Sequence, residues 1–212
     1  GKLVPQNYLN VLKKTENENT AKKTKTTKTT KTIHGIEKQT TKETADQIQQ
    51  GIAKEILRFH VLANSDSEED QKLKLEVKDR LVDYMKDILD GAEDVKETKK
   101  RITENRETIC LVAEQEIQKQ GYTYPVSVNL EKCYFPMKTY GDCTFPAGTY
   151  EALRVCIGKA KGRNWWCVLY PGLCFADSVN VIVPDEKKQE LKNILTEEEY
   201  ESLFDWREDD YQ

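Results

Sequence analysis

The 212-residue sequence predicts an α+β domain: a strand, two helices, then an antiparallel β-meander with the helices packed on one sheet face. Three observations carry this. A short strand-forming run, Ile56 to Leu62, precedes two long segments with apolar residues at helical spacing. After Pro125 the period switches to alternation. Lys- and Thr-rich sequence precedes these elements and acidic sequence follows them.

Order is expected to begin near Ala53. Ile56-Leu57-Arg58-Phe59-His60-Val61-Leu62 is apolar and rich in strand formers. Asn64-Ser65-Asp66-Ser67 follows as a turn able to cap a helix, with Glu68, Glu69 and Asp70 in the first turn, where carboxylates favour the helix dipole. Leu73, Val77, Leu81, Tyr84, Met85 and Ile88 then share one face, and Gly91 ends the helix. A second helix is expected from about Glu93 to Gln120, with Ile102, Ile109, Val112, Ala113 and Ile117 along one side and Gly121 as its stop. Val126, Val128 and Leu130 alternate with polar residues, as do Leu153, Val155 and Ile157, so both segments read as strands with one buried face. Gly158 to Gly162 reads as a hairpin loop leading into a third strand, Asn164 to Tyr170. Lys187–Leu195 and Glu197–Phe204 read as short, peripheral acidic helices.

Charge divides the chain. Residues 1–47 carry ten lysines, no arginine and five acids, net +5, which leaves −9 on the remainder of a chain whose total is −4. The Lys/Thr-rich leader lacks the apolar residues to offset its ordering entropy and is expected to be disordered. The division expected is therefore a leader over 1–47, a domain over 48–183 and an acidic tail over 184–212. An acidic body gives no reason to expect nucleic-acid binding, which needs a basic face. No run approaches the roughly 18 apolar residues of a membrane helix.

Six cysteines, Cys110, Cys133, Cys143, Cys156, Cys167 and Cys174, in a loop-rich region point to disulfides and an oxidising compartment; buried thiols are the other reading. Pairing is not deducible from six cysteines. Spacing favours Cys167 with Cys174 across Pro171-Gly172, then Cys133 with Cys143, leaving Cys110 with Cys156.

No catalytic constellation emerges. His34 lies in the leader and His60 in a strand, and no His-Glu-x-x-His or Cys-x-x-Cys spacing is present. The intervals among Cys133, Cys143, Cys167 and Cys174 do not resemble a zinc knuckle. His60 reads as a packed strand residue, and no metal or cofactor is expected. The unusual segment is Asn164-Trp165-Trp166-Cys167-Val168-Leu169-Tyr170-Pro171-Gly172-Leu173-Cys174-Phe175. Adjacent tryptophans on a strand point to opposite faces, so one can be core while the other is covered by a further element or offered to a partner.

This ribbon resembles the signature of the stage II sporulation protein R (SpoIIR) family, with Gly172 in place of a second proline. The resemblance extends through Arg58 to Ser67 with Asp70 to Lys74, through Tyr134-Phe135-Pro136 with Lys138 to Gly141, and through Phe145 to Val155 with Ile157-Gly158. It covers about residues 54–176. Cys133 and Cys143 stand outside the family pattern. The resemblance implies a secreted signalling protein of endospore formation, made in the forespore and exported into the space between forespore and mother-cell membranes. There it would trigger the membrane-embedded aspartic protease SpoIIGA, so that pro-sigma-E is processed. A secreted thiol–disulfide exchange enzyme using Cys167 or Cys174 and a structural envelope protein are the competing readings. The candidate partner-binding residues are Trp165, Trp166, Tyr170, Phe175, Asn64 and Asp66.

Limited trypsin digestion is expected to strip residues 1–47 and leave a stable body. Protection of Lys22 to Thr32 from cleavage would contradict the composition argument.

Overall fold

In a computed structural model, residues 45–175 and 182–204 are described. Helix α1 occupies residues 45–55 and leads directly into strand β1 (Leu57–Leu62). Helices α2 (Glu68–Leu89), α3 (Val95–Glu104) and α4 (Arg106–Lys119) follow. Strands β2 (Val126–Phe135), β3 (Lys138–Tyr140), β4 (Cys143–Phe145), β5 (Gly148–Ile157) and β6 (Asn164–Tyr170) come next, then a 3₁₀ turn at Leu173–Phe175. Helices α5 (Asp185–Ile194) and α6 (Glu197–Ser202) close the described chain. The expected α+β class holds, with helices packed on a mostly antiparallel sheet.

The four-stranded sheet runs β2-β5-β1-β6. Strand β1 lies parallel to β5, with Phe59 beside Leu153, and antiparallel to β6, with Phe59 beside Cys167. All six of its residues are buried, which is why its sequence reads as a continuous apolar run and not as an alternation. The 158–162 segment expected as a hairpin loop is instead a bridge over the end of β1, because β5 and β6 flank that strand and do not pair. Lys161 and Gly162 donate backbone N–H groups to the carbonyls of Asn64 (3.2 Å) and Ala63 (2.9 Å). A Cβ at Gly162 would collide with the Ser65 carbonyl, so the bridge requires glycine there.

One sheet face carries the helical core. Phe59, Val61, Leu153, Val155 and Ile157 meet Leu73, Val77, Leu81 and Met85 of α2, Ile102 of α3, and Ile109, Ala113 and Ile117 of α4. The helix expected from Glu93 to Gln120 divides at Asn105. The Asn105 side chain donates to the Arg101 carbonyl (2.8 Å) and accepts from the Tyr84 hydroxyl (3.2 Å), a side-chain competition that unsettles a helix.

The opposite face holds a second core. Phe135 lies six ladder positions from the level of Arg154 and His60, ~20 Å along a straight strand. The Phe135 and His60 rings are nevertheless 5.1 Å apart, so the β2–β5 ribbon curls back over the sheet. The β3–β4 hairpin, α1, α5 and α6 complete the cover with Ile48, Ile52, Phe145, Leu191, Leu195 and Leu203. The boundary expected between residues 47 and 48 falls inside α1, whose signal is Ile48 and Ile52, with Ile56 just past its end at the same four-residue spacing. The helices expected to be peripheral are packed in: Leu191 and Leu203 are fully buried, and the Leu203 carbonyl accepts from Thr144 N–H at 2.7 Å. Residues 1–44 and 205–212 lie outside the described residues.

Ile52→Ala is expected to lower stability in urea by about 2–5 kcal/mol, since Ile52 is wholly buried in the second core. Leu75→Ala, at an exposed site on α2, should stay within about 0.5 kcal/mol of the parent. Equal midpoints for the two variants would show that α1 is not integral to the fold.

Candidate functional site

Strand β6 forms one edge of the sheet, and its two tryptophans point to opposite faces as expected. Trp165 meets Phe59 edge-on (ring centroids 5.5 Å) on the helical face, with the Lys78 ammonium 5.1 Å from the indole. Trp166 stacks on His60 (5.0 Å, 16°) and meets Phe135 edge-on (4.7 Å) on the other face. Both are half-buried, so neither indole is bare. Tyr170 ends the strand; its hydroxyl donates to the Glu93 carbonyl at 2.9 Å. Phe175 is described only as backbone of the 3₁₀ turn.

Tyr170 and Gly172 form one wall of a groove of about 590 Å³. The end of α2, with Lys86, and the following loop, with Glu93, form a second; α5, with Glu186 and Glu190, forms the third. Acidic side chains outnumber basic ones along it, and Lys187 is engaged by Glu190 at 2.7 Å. This groove had no sequence signal, because its walls come from three distant segments.

Beneath Trp166 lies an unusual polar centre. Arg58 is wholly buried and has no carboxylate partner among the described residues. Its Nε donates to the Cys167 carbonyl (3.1 Å) and its Nη2 to the Tyr140 hydroxyl (3.0 Å), while Nη1 has no hydrogen-bond partner among the described residues. The rings of Phe135, Tyr150, Phe145 and Tyr140 surround the guanidinium, with centroids at 4.5, 5.1, 5.2 and 5.6 Å. His60 is 4% exposed, and neither of its ring nitrogens has a hydrogen-bond partner among the described residues. Burial, reinforced by the Arg154 and Arg58 charges against an opposing Glu131, lowers its pKa to about 4. The ring's contacts are the stacked Trp166 and the tilted Phe135, and among the described residues no thiol or hydroxyl lies in hydrogen-bond contact with it.

The Asn64–Asp70 turn caps α2, but with a division of labour. Ser67 is the cap, accepting from Asp70 N–H at 3.2 Å. Asn64 accepts from Lys159 N–H (3.0 Å) and donates to Asp70 Oδ2 (2.8 Å); Ser65 donates to the same oxygen (2.5 Å). Burial opposes the Asp70 charge, yet hydrogen bonds from Ser65, Asn64 and Tyr124 outweigh it and hold the carboxyl below its usual range. Asp66 accepts from Arg163 N–H at 2.7 Å and remains exposed. Asn64 is therefore committed to clasping the 158–163 bridge, whereas Asp66 keeps a free outer side. Neither reaches the β6 groove's lining.

All six cysteines are unbonded. Cys110 packs on the helical core while Cys156, one residue out of phase with Val155 and Ile157, points to the other face, so the sheet separates that expected pair. Cys133 Sγ faces Glu131 (3.9 Å), and Cys143 is fully buried in the second core. Only Cys167 and Cys174 come together as expected: both sulfurs approach the Val168 carbonyl, at 3.7 and 3.0 Å, and Cys174 is hydrogen-bonded to Cys167. No group of three or more His, Cys, Asp or Glu side chains among the described residues is arranged to hold a metal ion.

A family model described as "Stage II sporulation protein R (spore_II_R)" matches residues 53–180. The chain is 33% identical over 174 residues to the stage II sporulation protein R of Bacillus subtilis (strain 168), covering 80% of this chain and 76% of that one. No solved structure gives a significant match.

His60→Phe is expected to be neutral or stabilising at pH 7, since the swap breaks no hydrogen bond. Because the folded-state pKa lies below the unfolded value of 6.5, His60's contribution is complete above about pH 6.5. It is lost as pH falls towards 4, by on the order of 3 kcal/mol in all. Urea midpoints measured from pH 7.5 to 4 should fall less steeply for His60→Phe than for the parent; parallel slopes would contradict a buried neutral histidine.

Proposed function

The chain belongs to the stage II sporulation protein R family, with the sporulation role that family carries, and from that premise we propose that it is a secreted, non-catalytic signal. In this reading it is made in the forespore and exported into the space between the forespore and mother-cell membranes. There it binds the membrane-embedded aspartic protease SpoIIGA and switches it on, and pro-sigma-E is processed. The observation that carries the reading is the placement of the family's aromatic ribbon. Its Leu169, Tyr170 and Gly172 line the wall of an open groove. The histidine that an enzyme would need is sealed in the second core, without a hydrogen-bond partner among the described residues. No described helix is long and apolar enough to cross a membrane, so the contact with a membrane-embedded partner rests on surface residues.

Activation is therefore a binding event centred on the groove, with Trp165 and Trp166 holding β6 from its two faces. Truncating a half-buried tryptophan removes packing on a core and lowers stability as well as binding. The exposed Glu186 on the outer wall separates the two effects, whereas Tyr170, half-buried against the helical core, carries both, so its melt is read beside its binding.

In a reconstituted pro-sigma-E processing assay run beside thermal melts, Tyr170→Ala should weaken partner binding by about 2 kcal/mol, close to thirty-fold. Glu186→Lys should leave the melt unchanged and reduce processing. His60→Phe should fold and activate normally. Normal processing by both groove variants, together with a folded but inactive His60→Phe, would replace this reading with an enzymatic one.

A further inference from the structure

We propose that Cys167 and Cys174 are a disulfide-forming pair that locks the edge strand to the turn forming the groove wall. The inference stands apart from the identity of the partner. Four features of the geometry carry it. Cys167 sits on β6 with its side chain facing the helical core, directly opposite Phe59. Cys174 lies in the 3₁₀ turn and packs against that same core. The two sulfurs converge on a single acceptor, the Val168 carbonyl, at 3.7 and 3.0 Å, and are in hydrogen-bond contact with each other. Finally, Arg58 Nε holds the Cys167 carbonyl at 3.1 Å, so the strand backbone at that residue is anchored before any bond forms. Of the other four, Cys110 and Cys156 lie on opposite faces and Cys143 is sealed under the curled ribbon; Cys133 is near enough to Cys156 to feel its charge, but its sulfur is turned to Glu131 at 3.9 Å.

As whole residues the two cysteines differ in exposure, and the less buried one is taken as the first to react. Cys167 is 4% exposed and Cys174 is partly exposed. With a disulfide oxidant R–S–S–R, the Cys174 thiolate attacks one sulfur; the oxidant's S–S bond breaks, and one R–S⁻ leaves and takes up the Cys174 proton. The Cys167 thiolate then attacks the Cys174 sulfur of the mixed disulfide and displaces the second R–S⁻, which takes up the Cys167 proton. The protein dithiol is oxidised to a disulfide, and one oxidant is reduced to two thiols. Burial pushes the Cys174 thiol well above its ordinary range, against smaller opposing effects of Arg58 and Lys78, so exchange should quicken as pH rises. The bond closes a loop of six intervening residues that contains Tyr170, Pro171 and Gly172, and so fixes one wall of the groove.

The test uses the full chain, incubated with excess oxidised glutathione, alkylated with iodoacetamide and digested with trypsin. Among the cysteine-bearing fragments only the one from Asn164 to Lys187 holds two, Cys167 and Cys174, because no lysine or arginine lies between Arg163 and Lys187. That fragment is expected unalkylated and two mass units below its dithiol form, with the other four cysteines alkylated. Oxidation should raise the melting temperature by roughly 5–10 °C, an increment absent in Cys174→Ser. Two alkyl groups on the fragment after oxidation, glutathione retained on Cys174, or a crosslink to the fragment holding Cys143 would each overturn the assignment. The mass measurement decides the matter even if Cys174→Ser fails to fold.

Discussion

Enclosure of β1 on both faces is the constraint from which the remaining architecture follows. A strand between two neighbours, with layers above and below, must send its odd and even residues into separate cores. Leu57, Phe59 and Val61 supply the helical side and are ordinary core residues. Arg58 and His60 fall on the other side, where a guanidinium and an imidazole must be buried. Among the described residues no carboxylate answers Arg58; its charge is met by a carbonyl, a phenol and four ring faces. Those rings come from β2, β3, β4 and β5, so the ribbon must curl over the sheet to deliver them. The second core is in this sense built around the polar residues of the central strand.

How much of this was legible in the sequence follows from where each signal resides. Periodicity within one segment gave the helices and strands, and alternation gave the opposed tryptophans, because both depend on neighbours along the chain. Pairing order does not: nothing local says that β1 will insert between β5 and β6, so a Gly-bounded loop with strands on either side read as a hairpin. The kink at Asn105 was visible only as a polar residue in a helical run, and its consequence depends on Tyr84 of another helix. Helix α1 carried a usable signal, Ile48 and Ile52 with Ile56 just past its end, masked by the polar residues around it. The Arg58 cage and the groove had none, since their members are scattered from residue 58 to residue 194.

The matched motifs also separate into different physical tasks. The run from Arg58 to Ser67 builds the central strand and then the clasp: Asn64 and Asp66 hold the 158–163 bridge through the N–H groups of Lys159 and Arg163. Gly158 and Gly162 are the other half of that clasp, because a Cβ at either would strike Asn64 or Ser65. These residues make the topology possible, and their specificity as a motif reflects geometry more than contact with a partner. The Trp165–Phe175 ribbon is different. It belongs to the edge of the sheet, with Trp165, Trp166, Leu173 and Cys174 on the cores and Leu169, Tyr170 and Gly172 between them at the groove.

That groove is divided in origin as well as in structure. The walls from α2, the loop after it and Tyr170–Gly172 fall within the 53–180 stretch that the family model matches, whereas α5, with Glu186 and Glu190, falls beyond it. Helix α5 is fixed by Leu191 in the second core and by Lys188 against Asp142 at 2.5 Å, so its position depends on the β3–β4 turn. The ribbon that encloses Arg58 thus also seats the helix that closes the groove. A change in the aromatic cage would reach the groove through packing alone, without altering a residue that lines it.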